Sequence, residues 1–221
     1  GYTTLGIAKT QEEMDAHLAK VNQSRLGNQW GAGDIMYADL NGDGEISNGA
    51  NTLADHGDIS IIGNNTPRYS YGITLDAAYK GFDFSVFFQG IGKRDYRVSG
   101  AYFWGATGGM WQSAGFTEHW DFFRGEDNPL GANLNAYYPR PLFTSGKNMQ
   151  TQSRYLQDAS YLRMKNIQLG YTLPKSITSK AGMQSVRVYV SGDNLATISS
   201  MSKIFDPETI GGAWGDGKLY P

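Results

Sequence analysis

From Arg68 the chain alternates apolar and polar residues with a period of two. In "RYSYGITLDAAY", Tyr69, Tyr71, Ile73, Leu75, Ala77 and Tyr79 make one face, and Arg68, Ser70, Gly72, Thr74 and Asp76 the other. The pattern resumes after Lys80-Gly81 in "FDFSVFFQG", with Phe82, Phe84, Val86 and Phe88 set against Asp83, Ser85 and Gln89. Strict alternation on both sides of a two-residue Gly turn predicts a β-hairpin. A second hairpin is predicted further on. Ile167, Leu169, Tyr171 and Leu173 share a face in "YLRMKNIQLGYTL", and Val186, Val188 and Val190 share one in "SVRVYVSGDNL". Continued toward the N-terminus, strict alternation in the first of these places Arg163 and Lys165 on the apolar side.

Other segments carry little periodicity. "TQEEMDAHLAK" reads as a short helix with Thr10 as N-cap, Glu13 completing a capping box, and Met14, Leu18 and Val21 on one stripe. Residues 91–160 form a long aromatic stretch with no sustained period, a length unusual for a connection inside a compact domain. The expected organisation is therefore a loop region over residues 1–67, a hairpin over 68–90, a long loop over 91–160, a second hairpin over 161–196 and a loop over 197–221. One pair of connections is short and the others are long. The strands run to roughly a dozen residues, where soluble strands run to ~5–6 and a tilted crossing of a bilayer needs ~9–11. Long strands with short turns at one end and long loops at the other are the pattern of outer-membrane barrels. Tyr79 and Phe82 fall where an aromatic girdle belongs. Four strands are too few to close a barrel, since single-chain barrels begin at about eight. The expected fold class is all-β: antiparallel long strands forming part of a large transmembrane β-barrel, with one short helix.

Composition narrows this further. The 221 residues hold 19 Lys and Arg against 21 Asp and Glu, a net charge of −2, so no basic footprint for nucleic acid exists. Cysteine is absent, which excludes disulfides, thiolate metal sites and a thiol nucleophile. No apolar run is long enough for a transmembrane helix. The mean hydropathy of −0.44 does not speak against a barrel, where alternate residues face the lumen. His56 and His119 are isolated histidines, and Glu118 with Asp121 has no support as a glycosidase pair. The chain is expected to be a non-enzyme.

The candidate metal site is "DLNGDGEISNGANTLADHGD". Asp39, Asn41 and Asp43 alternate, Gly44 follows, Glu45 can offer its carbonyl and Ile46 can anchor the loop, as in an EF-hand. The twelfth position is Ala50, which cannot ligate. Asp58, or else Asp55, would have to reach back over an insertion. A structural Ca²⁺ clip and an unoccupied polar turn both remain open; without flanking helices it is no sensor. Trp104, Trp111 and Trp120 are candidate contacts for substrate or for a lid, in a region that can equally pack on itself.

Three separated stretches, "GDIMYADLNGDGEIS", "IIGNNTPRYSYGITLDAAYKGFDFSVFFQGIGKRD" and "YLRMKNIQLGYTLPKSITSKAGMQSVRVYVSGDNL", together with "TEHWDFFRGEDNPLGANLNAYYPRP", resemble the C-terminal part of the SusC/RagA family, from about Gly33 to Pro207. These are TonB-linked outer-membrane transporters of Bacteroidetes-type bacteria. The resemblance implies a barrel of roughly 22 strands with a plugged lumen, of which this chain is a segment without the plug, the TonB box or the last strand. It also implies uptake of oligosaccharide or peptide, a SusD-like surface lipoprotein as lid, TonB as the energy source, and outer-membrane lipid against the apolar strand faces. Lumen-facing Asp76, Asp83, Gln89, Asn166 and Gln168 would then line the path or meet the plug. The alternative reading is a soluble, calcium-stabilised β carbohydrate-binding module, in which those apolar faces would be buried.

Overall fold

The computed structural model describes residues 1–105, 115–143 and 145–210. The described residues form two compact units, 1–63 with 97–156, and 64–96 with 157–210. In order, the elements are β1 (Thr4–Ile7), α1 (Gln11–Leu18), β2 (Ile35–Tyr37), β3 (Arg68–Tyr79), β4 (Phe82–Lys93), β5 (Asp95–Arg97), α2 (Ala101–Trp104), β6 (Leu156–Asp158), β7 (Tyr161–Thr172), α3 (Lys175–Thr178) and β8 (Arg187–Ser199), with short 3₁₀ turns between some of them. Strands dominate and the helices are short, as an all-β reading requires. No helix among the described residues is long and apolar enough to cross a membrane.

One unit is built on a four-stranded antiparallel sheet in the order β3-β4-β7-β8. Lys80 and Gly81 both take positive φ, 49° and 89°, in the two-residue turn joining β3 to β4. That is the backbone of a type I′ turn, which matches strand twist, and it is why a glycine stands there. The register makes the two faces explicit. Tyr71, Ile73, Leu75, Ala77 and Tyr79 lie beside Gly90, Phe88, Val86, Phe84 and Phe82 of β4. These continue into Leu162, Met164, Ile167, Leu169 and Tyr171 of β7, and then Ile198, Ala196, Gly192, Val190 and Val188 of β8. The whole face is apolar or small, and Tyr71, Ile73, Leu75, Leu169, Val188, Val190 and Ile198 are exposed on it. Phe82 and Tyr171 meet with ring centroids 4.4 Å apart at the short-turn end. The opposite face carries Asp76, Asp83, Ser85, Gln89, Asn166, Gln168, Ser191 and Asp193. There Arg187 donates to Asp83 from Nε at 2.9 Å, across the intervening strand. Gly170 lies beneath that ion pair, and a Cβ at this position would collide with both side chains.

Strict alternation failed for Arg163 and Lys165. Pairing shifts register on both sides of β7 between Met164 and Asn166, so Lys165 is an extra residue, a β-bulge. The bulge reverses the phase. Leu162 and Met164 take the apolar face, and Arg163 turns to the polar one. There Arg163 is buried and donates to Thr197 Oγ1 at 2.8 Å, Asp206 Oδ1 at 2.5 Å and Glu208 Oε2 at 2.5 Å. Lys165 Nζ donates to Glu208 at 2.9 Å. The segment after β8 is thus tied to the polar face by two cations and two carboxylates.

The other unit is built from two segments that read as loops in the sequence. Residues 1–63 and 97–156 share a core whose fully buried members include Met14, Ile35, Tyr37, Ile46 and Phe103. Thr10 caps α1 by accepting from Glu13 N at 3.2 Å. Glu13 itself reaches the Lys9 N–H at 2.6 Å, one residue before the expected partner in a capping box. Gln23, with no exposed surface, bonds Ile35 O at 3.2 Å and the Tyr37 N–H at 2.8 Å, which fastens β2 in place.

Removing Arg163 would leave Asp206 buried without its main partner, so Arg163→Ala should cost roughly 3–5 kcal/mol in the parent protein. The temperature at which the folded band is lost in unboiled gel samples measures this, and an unchanged transition would show the cluster to be dispensable.

Candidate functional site

A dense polar cluster centres on Asp34, which lies in the stretch "GDIMYADLNGDGEIS" but was no candidate by residue type or spacing. It follows Gly33 at the entry to β2 and has no exposed surface. Its Oδ1 accepts from Arg140 Nε at 2.8 Å and Asn148 Nδ2 at 2.9 Å. Its Oδ2 accepts from the Gly31 N–H at 2.9 Å, Arg140 Nη2 at 2.6 Å and Lys147 Nζ at 2.8 Å. Burial pushes the carboxyl up, but the hydrogen bonds from Arg140, Lys147 and Asn148, with the Arg140 charge, outweigh it and hold Asp34 below the ordinary range. Burial acts the other way on Lys147 and lowers its ammonium despite the carboxylate beside it. That ammonium also donates to Asn28 O and Gln29 O, at 3.0 and 2.8 Å, and sits 4.8 Å from the centre of the Trp30 ring. The Tyr37 hydroxyl donates to Lys147 O at 2.7 Å, and Asn148 Oδ1 accepts from the Ile35 N–H at 2.9 Å. Apart from the local bond from Gly31, these hydrogen bonds join residues 28–37 to residues 140–148, across more than a hundred positions of sequence.

Beside this cluster opens a cavity of about 430 Å³. Its wall is mainly apolar and aromatic: Trp104, Phe116, Trp120, Phe122, Tyr138 and Leu142, with Arg140, Ser145 and Asn148 as polar members. An aromatic cluster supports it from behind. Phe103 packs edge-on to Tyr138 and Tyr155, at 5.6 and 5.9 Å, and Trp104 edge-on to Tyr155 at 4.8 Å. His119 is a building element and no ligand. Its Nδ1 accepts from the Phe116 N–H at 2.9 Å and its Nε2 lies 3.0 Å from Phe103 O, which fixes the neutral tautomer with the proton on Nε2. Asp121 accepts from Asn133 Nδ2 at 2.8 Å and the Tyr137 N–H at 3.2 Å, so it pins the loop. Of the three candidate tryptophans, Trp104 and Trp120 line the one cavity, and Trp120 is 60% exposed at its edge. Trp111 lies outside the described residues.

The EF-hand-like loop folds on its own amides. Asp39 accepts from the N–H groups of Gly42 and Gly44, at 2.7 and 2.9 Å. Asp43 accepts from the Glu45 N–H at 2.8 Å and Asn41 Nδ2 at 2.8 Å; these bonds, and then the Arg25 charge, lower its pKa. The Glu45 carboxylate faces Arg25, with Oε1 accepting from Nε at 2.8 Å. Ile46 is buried. Asp58 does reach back over the insertion. It is fully buried, with Oδ1 accepting from the Leu40 N–H at 2.7 Å and Oδ2 from the Ser47 N–H at 2.8 Å. Asp55 instead caps a turn inside the insertion, accepting from the Ala50 N–H at 3.0 Å. Among the described residues no three acidic or histidine side chains gather into a metal-holding set.

No family model matches the chain. Two curated relatives do, both from Formosa agariphila. TonB-dependent receptor P3 is 35% identical over 80% of this chain, and TonB-dependent receptor P26 is 30% identical over 94% of it. Among solved structures, a RagAB peptide transporter superposes over 100% of the chain and 21% of its own, with a TM-score of 0.61 and 24% identity. The chain is thus similar to a part of TonB-dependent receptors and shares the fold of the matching part of a RagAB structure. It spans 15% and 19% of the length of the two curated relatives. A RagAB peptide importer in an open-open state is similar over 99% of the chain and 20% of its own, at a TM-score of 0.57 and 23% identity. The two curated relatives are named as receptors, and the two solved structures as a peptide transporter and a peptide importer.

The folded-state pKa of Asp34 lies below its unfolded value of ~3.9. Its stabilisation is therefore complete above about pH 4 and drains away as pH falls through the depressed value. Asp34→Asn should flatten the acid limb of a stability–pH curve, whereas Asp34→Ala, stranding two cations, should cost roughly 3–5 kcal/mol. Thermal unfolding from pH 2 to 7 measures both, and an unchanged acid limb in Asp34→Asn would refute the assignment.

Proposed function

We propose that this chain is part of the wall and extracellular loops of an outer-membrane, TonB-dependent importer. The observation that carries the reading is the sheet's continuous apolar face, exposed along four long strands, opposite a face of carboxylates, amides and hydroxyls. Such a face suits contact with lipid, and its partner suits a polar lumen. β3 and β8 end the sheet with one edge each unpaired, which suits continuation into a barrel of roughly 22 strands. The expected bilayer-crossing segments are the hairpins of residues 68–90 and 161–196, with the regions 1–67, 91–160 and 197–221 on the outer side. Peptide is favoured over oligosaccharide as cargo, because the solved proteins it resembles are a peptide transporter and a peptide importer. A SusD-like lipoprotein as lid and TonB as energy source complete the proposal. A soluble carbohydrate-binding module would have to cover the apolar face that stands exposed here.

The test is a pair of neighbouring substitutions in the full-length protein. Ile73→Arg, on the apolar face, should cost about 2–4 kcal/mol and reduce the amount of folded protein in the outer-membrane fraction. Thr74→Arg, one residue along and on the polar face, should be nearly neutral. Equal tolerance of the two would overturn the membrane reading.

For the loop from Asp39 to Asp58 we propose a weak structural Ca²⁺ clip. Asp39, Asn41, Asp43 and the Glu45 carbonyl would hold the ion, and Asp58 would brace the loop from behind through the amides of Leu40 and Ser47. Extracellular sites of this kind bind at about 10⁻⁴–10⁻³ M. Millimolar Ca²⁺ should raise the melting temperature of the wild type and leave that of Asp43→Ala unchanged. Asp58→Ala should melt lower with or without the ion. No response of the wild type to Ca²⁺ would reduce the motif to a polar turn.

A further inference from the structure

We propose that the cavity beside the Asp34 cluster is a subsite for the C-terminal residue of a peptide, taking an apolar side chain on its aromatic wall and the free carboxylate on Arg140. The inference rests on the peptide-import reading and adds a chemical preference to it. About 430 Å³ is within the range of ~300–1,000 Å³ typical of ligand pockets, and an aromatic wall with few polar groups is the usual lining.

The polar groups of the wall decide the rest. Asn148 has both ends committed, its Nδ2 to Asp34 and its Oδ1 to the Ile35 N–H. Both nitrogens of His119 are engaged with backbone. Arg140 spends Nε and Nη2 on Asp34 and Gln29, while its Nη1 has no partner among the described residues and its side chain is 32% exposed. Charge points the same way. Among the described residues Asp34 is the one carboxylate bonded to Arg140 and Lys147, so the cluster carries a surplus positive charge, and Lys147 is almost wholly buried while Arg140 reaches the cavity. A guanidinium edge in a cavity that Ser145 also lines suits a carboxylate. An oligosaccharide is a poorer match, because its many hydroxyls would leave water and meet a mainly apolar wall.

The experiment uses the full-length protein in detergent and two probes, the tripeptide alanyl-alanyl-phenylalanine and its C-terminal amide. The free acid should bind about tenfold or more tightly than the amide, the scale of one hydrogen bond to a charged group. Trp120→Ala, a change at an exposed edge, should weaken both peptides. Leu142→Glu, which sets a like charge in the wall, should weaken the acid about tenfold and the amide much less. Equal binding of acid and amide by the wild type overturns the subsite and leaves peptide import standing. A preference for the acid that neither variant alters also overturns it, since the carboxylate is then read elsewhere. If seating the lipoprotein partner excludes the peptide, the cavity is a lid contact and the proposal falls. If the wild type neither binds nor imports any peptide, the import reading itself fails.

Discussion

A carboxylate cut off from water stays ionised only where cations and N–H groups surround it, and Asp34 meets that condition with five donors drawn from three short segments. The reverse also holds: Lys147 has no means of remaining charged in its position without that carboxylate and the carbonyls of Asn28 and Gln29. A paired charge of this kind contributes less net stability than its short distances suggest, because desolvation of each partner offsets most of the attraction. What it supplies is placement. It fixes the backbone near β2 against the stretch holding Arg140 and Asn148, and so it fixes one wall of the cavity.

In the other unit the governing constraint is period two. A strand exposing one face to lipid and the other to a polar interior has no freedom to drift in phase, since a slip of one residue exchanges the faces. The chain uses this at Lys165. One inserted residue turns Arg163 away from Leu162 and Met164 and toward Asp206 and Glu208. The same positive φ that Lys80 and Gly81 need for their turn recurs at Asn194, opposite the bulge, where the partner strand absorbs the shift. Local backbone irregularity is here the means of keeping a global pattern intact.

The hairpins were legible because alternation is a local signal, carried by neighbours and independent of what packs against them. The tight turn was legible for the same reason. The bulge was visible only as a break in phase: the residues that explain it, Asp206 and Glu208, lie some forty positions away. Residues 1–67 and 91–160 read as loops because their core is assembled from single residues such as Met14, Tyr37 and Phe103, with no repeat to betray them. Trp104 and Trp120 were legible as candidates by residue type alone. That they line one cavity, and that Arg140 lines it with them, was not.

The Asp39–Asp58 loop shows the division of labour within one motif. Spacing alone placed the alternate oxygens and the glycine turn, and it showed that Ala50 could close nothing. Folding decided that Asp58 returns over the insertion to bond the amides of Leu40 and Ser47, while Asp55 stays within it. For the chain as a whole, sequence by itself determined the four long strands, their faces away from the bulge and the resemblance, because these rest on the chemistry of adjacent residues. Tertiary structure alone decided which distant charges share a carboxylate and which aromatics share a wall, because those contacts depend on chain closure over more than a hundred residues and leave no period behind.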